Sequence, residues 1–131
     1  MTIKLPKQLR GVADRALLAK IEAGLERVEA GLLQATEHTD PIAKVSIRHL
    51  VEAGGKRLRP VLVLLTAQFG EATNQDVIDA AVVVELTHLA TLYHDDVMDD
   101  APTRRGVPTA QNIWGNNVAI LTGDLLFARA S

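Results

Sequence analysis

The stretch AAVVVELTHLATLY, which lies between Gln75 and Asp99, constrains the fold more than any other part of the chain. On a helix it is apolar on nearly every face, which is typical of a helix surrounded by other helices. Thr73 or Asn74 is placed to cap this helix and Pro102 to terminate it, which gives a length of roughly 36 Å. The length of the run and its lack of alternation oppose a strand. We therefore expect a long central helix.

Further helices are predicted on both sides of the central one. Apolar residues recur three and four apart in the first of them, and prolines or glycines mark several helix ends. The predicted elements are helices over 12–37, from Pro41 to the Gly54-Gly55 stop, from Pro60 to Gly70, over 108–114 and over 117–131, with a loop at 101–107. The predicted fold class is all-α, a helical bundle.

Composition and charge exclude several classes of protein. The chain has 131 residues, which suits one domain, and 47% hydrophobic against 3% aromatic residues indicate an aliphatic core. A net charge of -2 argues against a nucleic-acid partner, and the absence of cysteine excludes disulfides and thiolate zinc sites. No signal peptide and no uninterrupted apolar run of about 18 residues is recognisable, so we expect no integral membrane segment and a cytoplasmic location.

Acidic residues crowd the end of the central helix. Asp95 and Asp99 lie four apart, within about 40° on a helical wheel, and His88 and Thr91 fall on the same stripe. Two carboxylates so placed repel each other and are opposed by the helix dipole, and Mg²⁺ would compensate both effects. The alternative is a solvated acidic helix end. Because the cluster emerges from an apolar helix, we favour a metal site.

Two basic clusters accompany the aspartates. GGKRLRP places Lys56, Arg57 and Arg59 between a glycine turn and a helix start, where anions are favoured. RRG places Arg104 and Arg105 a few residues beyond the aspartates. Guanidinium groups suit phosphate oxygens, and GxxxxGK[ST], the nucleotide-binding loop, is absent. Acidic and basic clusters together suggest a metal and more than one phosphate.

GGKRLRP, ELTHLATLYHDDVMDDAPTRRG and NNVAILTGDLLFARAS resemble the N-terminal half of a trans-polyprenyl diphosphate synthase, over roughly residues 40–131. The resemblance implies the isoprenoid synthase fold, of which residues 1–131 would form the N-terminal part of a single helical domain whose C-terminal half is absent. Relatives carry a second aspartate-rich motif, and nothing comparable follows Asp124. We therefore expect the isolated chain to be incomplete and inactive.

The resemblance also implies a role for each matching residue. Asp95 and Asp99 would bind Mg²⁺, with Asp96 assisting, and Arg104 would contact the diphosphate of an allylic substrate. The residues implied to bind isopentenyl diphosphate are Lys56, Arg59, His88 and Arg105, with Arg57 matching the same motif in a less defined role.

The implied reaction needs no side-chain nucleophile. The C–O bond of the allylic substrate would break and release its diphosphate, whose charge Mg²⁺ would neutralise. The double bond of isopentenyl diphosphate would attack the resulting allylic carbocation, and loss of a proton would restore an alkene. Short-chain relatives carry an aromatic residue near positions that hold Ala90 and Thr91 here, so the chain is similar to medium- or long-chain members, although Tyr93 could limit the product. A homodimer is implied as well.

Two other functions compete with this hypothesis. A noncatalytic helical subunit would act through a partner chain that covers the apolar face of the last helix. A terpene cyclase shares the aspartate motif, but it would not need the second diphosphate site suggested by Lys56, Arg59 and His88.

Overall fold

A computed structural model describes residues 15–131 and confirms the all-α prediction. The predicted start of the first helix at residue 12 lies outside the described residues. In chain order the elements are α1 Arg15–Ala35, α2 Pro41–Glu52, α3 Leu58–Ala67, α4 Gln75–Met98, β1 Thr103–Arg104, β2 Val107–Pro108, α5 Ala110–Trp114 and α6 Asn116–Ala130.

Side-chain caps fix the starts of two helices. The Asp40 carboxylate accepts hydrogen bonds from the N–H groups of Ile42 at 2.9 Å and Ala43 at 3.0 Å, and Pro41 follows it in the first turn of α2, as predicted. At α4 the side chain of Asn74 accepts from the N–H of Asp76 at 2.9 Å. Of the two predicted caps for α4, Asn74 therefore makes the capping bond.

Several predicted element bounds differ from those observed, including the end of α3 at Ala67 and the start of α5 at Ala110. Helix α3 begins at Leu58 and not at Pro60, because the carbonyl of Arg57 already accepts the N–H of Val61 at 3.0 Å and a proline is tolerated in a first turn. The predicted loop at 101–107 contains a small hairpin in which β1 pairs antiparallel with β2. Its turn residues, Arg105 and Gly106, have φ of 54° and 77°, the left-handed pair that a tight hairpin needs.

The described residues form two compact units, each with contributions from α1 and α4. The first comprises residues 15–31 and Lys56–Glu85. Its buried hydrophobic side chains include Ile21, Leu25, Val28, Val61, Leu64, Ile78 and Ala81. Helix α1 lies close to α4 at Gly31, where an added Cβ would be 2.7 Å from a methyl group of Val82.

The second unit comprises Leu32–Gly55 and Leu86–Ser131. Its larger buried residues are Leu32, Ile47, Leu50, Leu86, Leu89, Leu92, Tyr93 and Leu126. The hydroxyl of Tyr93 donates to the carbonyl of Ser46 and accepts the N–H of Leu50, at 3.2 Å. A phenol from α4 is thereby bonded to the backbone of α2.

Helix α4 was expected to be enclosed on nearly every face. Residues 15–131 do not cover it completely, since Val83 and Val84 are 39% and 37% exposed. By length and mean hydropathy, 1.2, α4 could cross a membrane, but 44% of this window is buried within the chain. It also contains Glu85, whose carboxylate is buried, and ends in an acidic cluster. These features are typical of a core helix.

Candidate functional site

The last turns of α4 carry the predicted pair of carboxylates. Asp95 and Asp99 are exposed, and the N–H of Asp99 donates to the carbonyl of Asp95 at 2.8 Å, which confirms the predicted one-turn spacing. Within residues 15–131 neither carboxylate makes a hydrogen bond or an ion pair. Both side chains are therefore available to a ligand.

Asp96 lies in a different environment from its two neighbours. It is 2% exposed, and both of its oxygens accept from Nε of Arg104, each at 2.8 Å, while Nη2 of Arg104 lies 2.8 Å from Oδ1. The hydrogen bond that Arg104 donates to Asp96, with the nearby charges of Asp95 and Asp99, raises the pKa of Arg104. The carboxylate that was expected to assist metal binding is thus buried and bonded to an arginine, and this arginine remains a cation.

The hairpin that carries Arg104 is bonded to α2. Nη1 of Arg105 donates to the carbonyl of Leu50 at 2.9 Å, and Nε2 of His49 lies 2.7 Å from the carbonyl of Pro108. No role was predicted for His49 or Gln111. The amide of Gln111 donates to the carbonyls of Asp96 and Ala101, each at 2.9 Å. It holds the backbone directly after α4, a long-range contact that the local sequence does not indicate.

The two positions expected to set chain length differ in exposure. Ala90 is fully buried, and its carbonyl would lie 3.2 Å from a Cβ added at Gly123 of α6. Thr91 is exposed, and its hydroxyl donates to the carbonyl of His88 at 2.6 Å. His88 is partly exposed on the same side of α4. Tyr93, which was considered as a limit on the product, is 1% exposed and faces α2.

His94 links the acidic end of α4 to α6. Its Nε2 lies 2.9 Å from the carbonyl of Ile120 and 3.3 Å from Oδ1 of Asp124. Asp124 therefore contacts the residue directly before Asp95.

The basic residues Lys56, Arg57 and Arg59 belong to the first unit. The other candidate residues belong to the second unit. Lys56 and Arg59 are exposed, and within residues 15–131 neither side chain has a hydrogen bond or ion pair. Arg57 differs from both: it is 4% exposed, and its guanidinium donates to Glu29 and, at 3.2 Å, to Glu85. The exposed pair can meet an anionic ligand, whereas Arg57 is bonded to protein carboxylates.

No group of three or more histidine, aspartate or glutamate side chains is arranged for a metal ion anywhere in residues 15–131. Asp95 and Asp99 supply two exposed carboxylates. Mg²⁺ is commonly bound by one or two carboxylates together with water and the phosphate oxygens of a substrate. The pair therefore fits a divalent cation that is shared with a phosphate ligand.

Comparison with known proteins places this arrangement in a family. The family model for polyprenyl synthetase matches residues 40–131. The chain is 47% identical over 121 residues to nonaprenyl diphosphate synthase of Mycobacterium tuberculosis, and 44% identical over 117 residues to component 2 of the heptaprenyl diphosphate synthase of Geobacillus stearothermophilus. These matches cover 92% and 88% of this chain.

A solved structure has the same fold as well. The polyprenyl synthase of Caulobacter crescentus, complexed with calcium and isoprenyl diphosphate, aligns with a TM-score of 0.81 and 39% identity over 87% of this chain. The chain spans 35% of that protein and 36% of each of the two sequence relatives. The family match and these identities lead to one conclusion: this chain belongs to the polyprenyl synthetase family.

Proposed function

We propose that this chain is the N-terminal part of a prenyltransferase that condenses isopentenyl diphosphate with an allylic polyprenyl diphosphate. The observation that carries the proposal is the exposed pair Asp95 and Asp99 beside Arg104, whose guanidinium is held by Asp96. Two free carboxylates and a fixed cation suit a metal-bound diphosphate. The relatives named as prenyl diphosphate synthases support this substrate class.

The metal is proposed to be Mg²⁺, bound by Asp95 and Asp99. The Caulobacter relative is complexed with calcium and isoprenyl diphosphate, which supports the binding of a divalent cation and of an isoprenoid diphosphate. When bound, Mg²⁺ neutralises the charge of the leaving diphosphate.

Each charged side chain has a proposed task in this reaction. Arg104 binds the allylic diphosphate and stabilises its charge as the C–O bond breaks. Isopentenyl diphosphate is proposed to bind to the basic residues Lys56, Arg59 and Arg105 and to His88. No side chain attacks the substrate, so these residues act by orienting the two diphosphates and by stabilising negative charge.

The product is proposed to be of medium or long chain length. Thr91 is exposed one turn before Asp95 and is small, so it leaves room beside the end of the allylic tail. The names nonaprenyl and heptaprenyl diphosphate synthase among the relatives support this inference. We further propose a cytoplasmic location and a homodimer.

The name of the Geobacillus relative, component 2 of a heptaprenyl diphosphate synthase, favours one alternative: a subunit that functions with a different partner chain. Under that alternative, covalent addition of the missing part of a synthase would not produce turnover, whereas a separate partner chain would.

The test is elongation by a hybrid enzyme, in which residues 1–131 replace the matching part of the Mycobacterium nonaprenyl diphosphate synthase. Labelled isopentenyl diphosphate is supplied with farnesyl or geranylgeranyl diphosphate and Mg²⁺, and the products are separated by chromatography. The 131-residue chain alone and the unaltered relative are assayed in parallel. We expect elongation by the hybrid and none by the chain alone. A folded hybrid without activity would contradict the proposal.

A further inference from the structure

We propose that Arg57 is a positioning residue, which uses buried ion pairs with Glu29 and Glu85 to hold Lys56 and Arg59 in place for the diphosphate of isopentenyl diphosphate. The inference rests on the proposed function above. It assigns an indirect role to Arg57, whose role the motif left less defined than those of Lys56 and Arg59.

Burial separates Arg57 from its two basic neighbours. Its side chain is 3% exposed, whereas Lys56 and Arg59 are exposed on either side of it. A buried guanidinium is costly unless carboxylates and hydrogen bonds compensate it. Glu85 is itself 2% exposed, and the side chain of Glu29 is 25% exposed. Arg57 is therefore inaccessible to a substrate phosphate and is stabilised by protein groups.

The contacts of Arg57 use the shape of the guanidinium and not merely its charge. Nε donates to Oε1 of Glu29, Nη2 lies 3.4 Å from Oε2 of the same carboxylate, and Nη1 donates to Oε1 of Glu85. Glu29 belongs to α1 and Glu85 to α4, so one side chain bonds to two helices. A lysine ammonium carries the same charge but lacks this planar fork.

The backbone around Arg57 is one that its own sequence does not favour. Gly54 and Gly55 have φ of 86° and 148°, and Arg57 has φ of 50°, the left-handed region that residues with a Cβ rarely adopt. Arg57 directly precedes Leu58, the first residue of α3, and its carbonyl accepts the N–H of Val61 at 3.0 Å. Its ion pairs therefore oppose a backbone preference at the residue that caps the helix.

This geometry determines where the neighbouring charges lie. Lys56 directly precedes Arg57, and Arg59 lies two residues later in the first turn of α3. A change in the backbone angles of Arg57 would rotate Lys56 relative to α3 and so change the position of its ammonium relative to the guanidinium of Arg59. Loss of the ion pairs should thus weaken the binding of one diphosphate without altering either of its ligands.

The test compares Arg57→Lys with two reference variants in the hybrid enzyme. Lys56→Met removes a proposed direct ligand. Arg27→Lys is the matched control, because Arg27 is an arginine of the same unit that bonds to Thr73 and Gln75 and has no proposed role in binding. The measurements are kcat, KM for isopentenyl diphosphate, KM for the allylic diphosphate, and the unfolding midpoint of each 131-residue chain.

We expect Arg57→Lys to raise KM for isopentenyl diphosphate about tenfold, the effect typical of groups that orient a ligand-binding residue. KM for the allylic diphosphate should stay near that of Arg27→Lys. If Arg57→Lys fails to fold, Glu29→Gln, at the more exposed partner, should produce a smaller effect of the same kind.

The outcomes separate this inference from the proposed function. No turnover by the unsubstituted hybrid would count against the proposed function. An active hybrid in which Arg57→Lys leaves KM for isopentenyl diphosphate unchanged, or changes both KM values equally, would overturn the positioning role. In that case the ion pairs would serve stability alone.

Discussion

The carboxylate of Asp96 and the guanidinium of Arg104 form a paired contact with Nε···Oδ distances of 2.8 Å, although Asp96 lies between residues whose side chains point elsewhere. Asp96 continues the buried stripe of Leu89 and Tyr93 on α4, whereas Asp95 and Asp99 belong to the exposed stripe. One short acidic sequence thus places its carboxylates in two different environments. Two carboxylates remain free for a cation, and a third fixes an arginine at the same end of the helix.

Loss of Arg104 should destabilise the chain more than loss of Asp96. Arg104→Gln leaves a carboxylate that is 2% exposed without its cation, and should lower the free energy of unfolding of the 131-residue chain by about 3 kcal/mol. Asp96→Asn leaves a guanidinium that is 30% exposed, so a loss of about 1–2 kcal/mol is expected. Urea unfolding of both variants and of the double variant gives the coupling energy. Additive effects would show that the pair contributes nothing.

The exposed aspartates should control metal dependence. Asp95→Asn and Asp99→Asn in the hybrid enzyme should each reduce elongation by at least about a hundredfold, because each removes a proposed ligand of a charge-stabilising cation. They should also raise the Mg²⁺ concentration needed for half-maximal rate. Asp100→Asn is the matched control, since Asp100 is exposed nearby and its φ of 50° is tolerated by asparagine. Equal effects at all three positions would contradict the assignment.

Product length should respond to Thr91 and not to Ala90. Thr91→Phe adds an aromatic ring at an exposed position one turn before Asp95, and should shorten the product while the enzyme remains folded. Ala90→Phe adds a ring at a fully buried position and should destabilise the chain by about 1–3 kcal/mol or more. Chromatography of the products and thermal unfolding distinguish the two effects. Unchanged products from Thr91→Phe would place the end of the tail elsewhere.

Tyr93 should make stability depend on pH in the alkaline range. Burial raises the pKa of Tyr93 from its ordinary value of 10.0, so the folded chain retains a proton that the unfolded chain loses. The stabilisation is complete below pH 10 and is lost as pH rises above it, by at most about 1.4 kcal/mol per pH unit. Tyr93→Phe removes this dependence together with the hydrogen bonds of the hydroxyl to the backbone of α2. The unfolding free energies of the two chains are measured from pH 8 to about 11. Their difference gives the contribution of Tyr93, because the lysines titrate in both chains.

The sequence predicted the helices and the shared face of Asp95 and Asp99, because helical periodicity and capping residues act over a few positions. It did not predict that Arg57 would be buried between two exposed basic residues. Glu29 and Glu85 each lie 28 residues away from Arg57 along the chain, so no local pattern pairs them. The burial of Asp96 could have been predicted from its helical spacing to the buried residues Leu89 and Tyr93. It was missed because Asp96 was interpreted as part of the acidic motif. Tertiary partners decide which charge of a run is buried.

Gly123 should be intolerant of even a methyl group, because α4 and α6 meet there. A Cβ at this position would lie 2.3 Å from Nε2 of His94 and 3.2 Å from the carbonyl of Ala90. Gly123→Ala should displace the imidazole from the carbonyl of Ile120, and should lower the free energy of unfolding by about 1–3 kcal/mol.

A second substitution identifies the cause of this loss. His94→Ala removes the ring, so the double variant His94→Ala with Gly123→Ala should be no less stable than His94→Ala alone, apart from the tight contact with the carbonyl of Ala90. Urea unfolding of the four 131-residue chains completes the cycle. If Gly123→Ala lowers the free energy of unfolding equally in the presence and absence of the His94 ring, the clash with His94 does not cause the loss. The contact with the carbonyl of Ala90 would then be the cause.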